Sequence, residues 1–206
     1  MSREFVEVFA DVVCPFTHVG LRRFVARRGT LGWSAPRLRV RAWPLELVNG
    51  HAFDPDSVEH HVHELRRQVA PDSFAHFTRD AVPDTSMPAF ALVAQAYEVG
   101  DSLGEAVSLA VRAALFEDGR DIADPEVLAD VAAAHGIVRV GAAAERMAAA
   151  DYEEGRRRGV QGSPDFFLDD RSYFCPGLRI DRSGGELVIE PDVTRFDAFL
   201  VDCFTT

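Results

Sequence analysis

Residues 4–10, Glu-Phe-Val-Glu-Val-Phe-Ala, partly alternate apolar and polar positions and are rich in β-formers, which predicts a strand. Cys14-Pro15 follows, and proline suits the first turn of a helix, where its missing N–H costs nothing. Leu21, Phe24 and Val25 recur at helical spacing, while Arg22, Arg23, Arg27 and Arg28 form the polar face and complement the helix C-terminus. Gly29 and Gly32 end this helix. Residues 37–43 alternate strictly, placing Leu38, Val40 and Ala42 on one face of a second strand. Such a β-α-β opening implies a parallel pair joined by a right-handed crossover.

From about residue 54 the period becomes helical. One helix is expected near 56–69, and Ser86-Met87-Pro88 opens another that ends at Gly100. A third runs from about Leu103 to Asp118 and stops at Gly119. Asp124-Pro125-Glu126 reads as an N-cap, a proline at the first helical position and an acidic first turn, and that helix ends at His135-Gly136. Residues 141–158 give a further helix. Residues 165–168 and 172–175 flank the turn 169–171 as a β-hairpin, and a last helix spans about 194–203. The order is β-α-β, a block of helices, then β-β-α. Split this way, the two ends make an α/β thioredoxin fold over residues 1–50 and 158–206, with an all-helical insertion at 51–157.

Composition narrows the function classes. Of 206 residues, 47% are apolar and 27% charged, as in ordinary soluble globular proteins. The net charge of −11 argues against a nucleic-acid partner, which needs clustered positive charge. The run Arg156-Arg157-Arg158 reads as a solvated helix end. Every basic residue is arginine, a pattern of coding bias rather than of function. No apolar stretch reaches the ~18 residues of a membrane span. Met1-Ser2-Arg3-Glu4 runs straight into a strand instead of a basic and apolar leader, so a cytoplasmic location is expected. Cys14, Cys175 and Cys203 have neither metal-ligand spacing nor an even count, and each is read singly.

Cys14 stands between a strand and a helix N-terminus, where free backbone N–H groups and the helix dipole stabilise a thiolate. His18, one helical turn on, is the nearest possible cation in sequence. Asp11, three residues earlier, can take a thiol proton or cap the loop. Cys203 lies on the apolar stripe of the last helix and reads as core. In His60-His61-x-His63 the three side chains do not share one helical face, so a solvated helix is favoured over a metal site. Met87, Phe74 and Phe77 either line a cleft or belong to the core.

Three segments carry a family resemblance: Phe9-Ala10-Asp11-Val12-Val13-Cys14-Pro15-Phe16-Thr17-His18-Val19-Gly20, Ala114-Leu115-Phe116-Glu117-Asp118-Gly119-Arg120-Asp121-Ile122, and Gly159-Val160-Gln161-Gly162-Ser163-Pro164. In this order and spacing the chain resembles the DsbA-like thiol oxidoreductases, in their cytosolic branch with a helical insertion. The resemblance implies a site in which Cys14, Thr17 and Pro164 are catalytic and Pro15, Phe16 and Ser163 meet the substrate. His18, Asp11 and Cys175 would be accessory. It also implies a cis bond at Ser163-Pro164, protein or small-molecule thiols and disulfides as partners, and no tightly bound cofactor or metal, with glutathione as a co-substrate. A homodimer is compatible with it.

The family usually carries Cys-Pro-x-Cys, and here Thr17 takes the fourth position. A threonine hydroxyl can hydrogen-bond the Cys14 thiolate but cannot resolve a mixed disulfide. Cys175 is a substitute in principle. Two strand spacings put it roughly 10 Å from Cys14, whereas a disulfide needs Cα atoms within about 7 Å, so a direct bond requires movement. The alternatives are a glutathione-dependent isomerase or transferase of the hydroxychromene-carboxylate isomerase or kappa-class type, whose members commonly use serine where Cys14 stands, and a non-catalytic binding module.

Overall fold

The computed structural model describes residues 4–32, 36–182 and 184–204. Strand β1 (Phe5–Ala10) leads into α1 (Pro15–Thr30) and returns as β2 (Arg37–Ala42). The helical block follows as α2 (Leu45–Asn49), α3 (Pro55–Gln68), α4 (Met87–Val99), α5 (Asp101–Phe116), α6 (Pro125–Ala134) and α7 (Ala142–Arg158). The chain then forms β3 (Asp165–Leu168), β4 (Arg171–Phe174), β5 (Leu178–Asp181), β6 (Val188–Pro191) and α8 (Val193–Phe204). This is the thioredoxin fold expected from the element order. Helix ends lie within two residues of the sequence reading, because the caps act locally: Asp54 and Asp124 accept the N–H groups of Asp56 and Glu126.

The main sheet has the order β2-β1-β3-β4, with β1 parallel to β2 and antiparallel to β3. Residues of β1 separate by period two. Val6, Val8 and Ala10 join Leu21, Phe24, Phe166, Phe199 and Leu200 in a core between the sheet, α1 and α8. Phe9 points the other way, toward Trp43 and Phe167, with Tyr152 of α7 packed against them. A larger apolar cluster joins the loop and first turn at Cys14 to the helical block.

Strand β2 is an edge, and its outer N–H groups are closed by side chains from the helices rather than by another strand. Leu38 N–H donates to Glu105 Oε2 (2.6 Å), Val40 N–H to Tyr97 Oη (2.8 Å) and Ala42 N–H to Asp151 Oδ2 (3.1 Å). Tyr97 in turn donates to Leu38 O at 2.8 Å. Gly104 makes room for this ring, since a Cβ there would collide with Tyr97. Tyr97→Phe strands one buried donor and one acceptor, and should cost about 1–3 kcal/mol. Urea denaturation should show a lower midpoint at an unchanged m-value.

Helix α2 and the β5–β6 hairpin escaped the sequence reading. Helix α2 is a single short turn and shows no period. The β5–β6 hairpin consists of two strands of 4 residues each, with one buried residue in each, too little for a readable alternation. Gln68 at the end of α3 holds it, donating to Leu187 O (2.9 Å) and accepting from Ile189 N–H (2.8 Å).

Candidate active site

Cys14 is the N-cap of α1, with extended backbone (φ −80°, ψ 113°), and Pro15 opens the helix. Its side chain is 5% exposed and lines a cleft of about 240 Å³ together with Pro15, Phe16, Leu45, Phe53, His61 and Ser163. The Ser163–Pro164 peptide bond is cis. The Cys14 thiol donates to the Ser163 carbonyl at 3.2 Å. Gly20 of α1 faces the Pro164 ring, so the helix and the proline loop pack closely.

Behind the sulfur runs a chain of hydroxyls. Asp11 N–H donates to Ser163 Oγ at 2.8 Å, and Ser163 Oγ lies 2.7 Å from Thr17 Oγ1. With Asp11 feeding Ser163, Ser163 can donate to Thr17, which leaves the Thr17 hydroxyl hydrogen for Cys14. Thr17 also presents its backbone N–H to the sulfur.

The helix N-terminus does not win outright. Burial pushes the Cys14 thiol above its ordinary value, against the Thr17 hydroxyl, the Thr17 N–H and Ser163, which favour the thiolate; the negative charge of Asp11 adds to the rise. Burial therefore opposes the thiolate stabilisation that the helix end implies in the sequence. A one-dimensional reading sees the helix end but not the depth at which it lies. Asp11 is fully buried, and burial raises its carboxyl to about 7, although Val13 N–H (2.7 Å) and Leu45 N–H (2.6 Å) both donate to it. Thr17→Val removes one hydrogen bond to the charged form, worth about 1.5–3 kcal/mol. The midpoint of Cys14 alkylation against pH should rise by roughly one to two units.

The other expected residues fall in different places. His18 faces away from the thiol: its Nε2 donates to Glu117 at 2.7 Å, and its ring packs on Phe74 and Phe116. Burial holds His18 below its usual range, while the Glu117 carboxyl, despite partial burial, is drawn down to about 2 chiefly by the His18 bond. His18 thus ties α1 to the end of α5. Cys175 is buried, and its N–H donates to Pro164 O at 2.9 Å. The ladder pairs Asp165 with Phe174, so Cys175 sits level with Pro164, one residue closer to the site than the turn implied. Burial, and then the nearby Cys14, push its thiol up to about 12. Cys14, Cys175 and Cys203 are not in disulfides, and Cys203 packs in the core between sheet and α8.

His61 is not merely solvated. It lines the cleft, packs on Phe16 at 5.2 Å and accepts from Arg182 (3.1 Å); burial and Arg182 press it down to about 4. His60 and His63 are exposed. Phe74 is core, and Phe77 stacks on Phe116 away from the cleft. Met87 packs against the helical core. Arg158 departs from its run: it pairs with Glu7 (2.7 Å) and lies over Phe167. Arg112, buried beneath the Asp11 loop, escaped sequence reasoning, because an arginine on an otherwise ordinary helix carries no signal. Among the described residues no group of three or more His, Cys, Asp or Glu is placed to hold a metal, and no helix is long and apolar enough to cross a membrane.

Residues 5–186 match the model of the DSBA-like thioredoxin domain. Solved structures that share the fold include three of comparable length. The cytosolic disulfide reductase DsbM from Pseudomonas aeruginosa with GSH has 19% identity and a TM-score of 0.60, over 82% of this chain and 88% of that one. A 2-hydroxychromene-2-carboxylate isomerase has 16% identity and a TM-score of 0.62, over 82% and 87%. A putative protein disulfide isomerase from Nitrosomonas europaea has 16% identity and a TM-score of 0.61, over 96% and 98%. No curated protein matches the chain.

Proposed function

Because this chain belongs to the DSBA-like thioredoxin domain family, we propose that it is a thiol-disulfide oxidoreductase acting through Cys14 alone, with glutathione as co-substrate. One observation carries this reading: the Cys14 thiol lines a cleft and faces the carbonyl next to Pro164, while the position one turn on holds the Thr17 hydroxyl in place of a thiol.

The steps follow from those groups. A disulfide R–S–S–R′ enters the cleft, where the Ser163 backbone is free to pair with an extended thiol peptide once the Cys14 contact is given up. The thiol gives up its proton to solvent, while Asp11, held by the Val13 and Leu45 N–H groups, braces the loop that carries Cys14. The Cys14 sulfur attacks one sulfur of the disulfide, the S–S bond breaks, and R′–S⁻ leaves to take up a proton. Thr17 and the α1 N-terminus stabilise the thiolate before attack and again on release. Since Thr17 cannot displace R–S, the thiolate of glutathione attacks the R sulfur, forming R–S–S–glutathione and returning Cys14. Cys175 is a poor second nucleophile: its thiol is held protonated by burial and its N–H is fixed to Pro164. We place this chemistry in the cytoplasm, in line with the cytosolic disulfide reductase of similar fold. The helices of residues 51–157 are then an inserted unit that walls the cleft with α3.

The test is turnover of bis(2-hydroxyethyl) disulfide by glutathione. The wild type should turn it over, and Cys175→Ser should keep at least about half the rate, since it removes no reacting atom. Loss of turnover in Cys175→Ser would overturn the single-cysteine mechanism. A second reading, a glutathione-dependent isomerase, is favoured by the hydroxyl at Thr17 and is separated from the first by Cys14→Ser.

A further inference from the structure

Arg112 on α5 is fully buried, and among the described residues no carboxylate is hydrogen-bonded to its guanidinium. Nη1 donates to Ser108 O (2.9 Å) and Ser108 Oγ (2.6 Å), and Nη2 donates to Asp11 O at 3.2 Å. Nε has no partner. The contrast with Arg28 is direct. That buried arginine places both prongs on Glu105, at 2.7 and 2.6 Å. An unpaired buried cation is costly, and a fold that only needed packing there would do better with an apolar side chain. Burial lowers the Arg112 guanidinium to about 10, which still leaves it charged at neutral pH, and Asp11 is the foremost group whose negative charge favours that cation.

We propose that Arg112 is a positioning residue that serves as the buried countercharge for the negative charge borne by the Asp11–Cys14 pocket when the thiol ionises. The inference rests on the reading of Cys14 as the nucleophile. Its geometry suits the task. One prong holds the carbonyl of Asp11, and so the loop leading to Cys14, while the charge lies on the protein side of the loop, away from the cleft. The remaining charged and titratable groups do not duplicate it. Across the cleft lie His51, Asp54 and His61. Glu46 acts on Asp11 with the same sign as the thiolate, and Cys175 is held neutral. On α1, His18 is engaged with Glu117 and held below its usual range. Arg112 is the cation left to offset the pocket among the described residues that act on Asp11.

The experiment is the pH profile of iodoacetamide alkylation at Cys14, read by mass spectrometry of the peptide carrying it, in wild type, Arg112→Met, Arg112→Gln and Arg112→Lys. Thermal melts identify the folded variants, and Gln, which can still donate to Ser108, is the alternative if Met does not fold. The expected result is a midpoint raised by about one unit in a folded neutral variant, a rate roughly tenfold lower at a fixed pH below it, and recovery of most of that loss in Arg112→Lys. A folded neutral variant with the wild-type midpoint would overturn the proposal, as would a Lys variant no better than Met or Gln. A wild-type Cys14 that reacts only on unfolding would instead overturn the nucleophile reading itself.

Discussion

Cys14→Ser is expected to abolish glutathione-driven disulfide turnover and the capture of glutathione on the protein, while the fold survives. Serine fills nearly the same space, and its hydroxyl can still donate to Ser163 O, so stability should change by no more than about 1 kcal/mol. The chemistry cannot survive, because an alcohol oxygen forms no disulfide under these conditions and is not ionised in any useful amount. Intact-mass measurement after incubation with oxidised glutathione should show an adduct on the wild type and none on the variant at Cys14. The wild-type rate should climb as pH rises from neutral, because burial keeps the Cys14 thiol protonated above its ordinary value and the thiolate fraction grows with pH. Full retention of turnover in Cys14→Ser would refute the mechanism. Retained or improved glutathione-dependent isomerisation in the same variant, with disulfide turnover absent from the wild type, would favour the second reading.

Glu105→Ala is expected to bring the largest loss of stability, about 3–5 kcal/mol. Glu105 is buried on α5 and serves four donors: both prongs of Arg28, Arg37 at 3.2 Å and the Leu38 N–H at 2.6 Å. Its removal leaves the Arg28 charge buried without compensation and one edge N–H of β2 unpaired. A typical domain is stable by only about 5–15 kcal/mol, so much of the margin would go. Urea denaturation measures the effect. Replacing both members, Arg28→Met with Glu105→Leu, should restore a large part of it, since the penalty arises from the stranded charge more than from the lost pair. A single-variant loss under about 1 kcal/mol would show that the pair is not the link between α1, β2 and α5.

Much of the site is local in sequence. Strand alternation up to Ala10, the Cys14-Pro15 junction and the helical spacing after it place a thiol at a helix start, and that is where it stands. The turn at 169–171 sets the β3–β4 register to within one residue and brings Cys175 level with Pro164. Caps at Asp54 and Asp124 depend on neighbours two residues away and were readable for that reason. The β5–β6 hairpin was not, because its alternation is short and its anchor is Gln68, more than a hundred residues earlier.

By itself, then, the sequence determined the order of the longer elements, their apolar faces and the lone cysteine beside a threonine, since these follow from propensity and period over a few residues. Only the tertiary structure decided how deep Cys14 lies, and so that burial raises its thiol against the helix end. It also decided that His18 serves Glu117 rather than the sulfur, that Glu105, Tyr97 and Asp151 close the edge of β2, and that the unpaired Arg112 lies beneath the Asp11 loop. Each of these joins groups tens of residues apart or more. Desolvation and charge pairing sum over everything nearby in space, and a local pattern of polar and apolar letters holds no record of that sum.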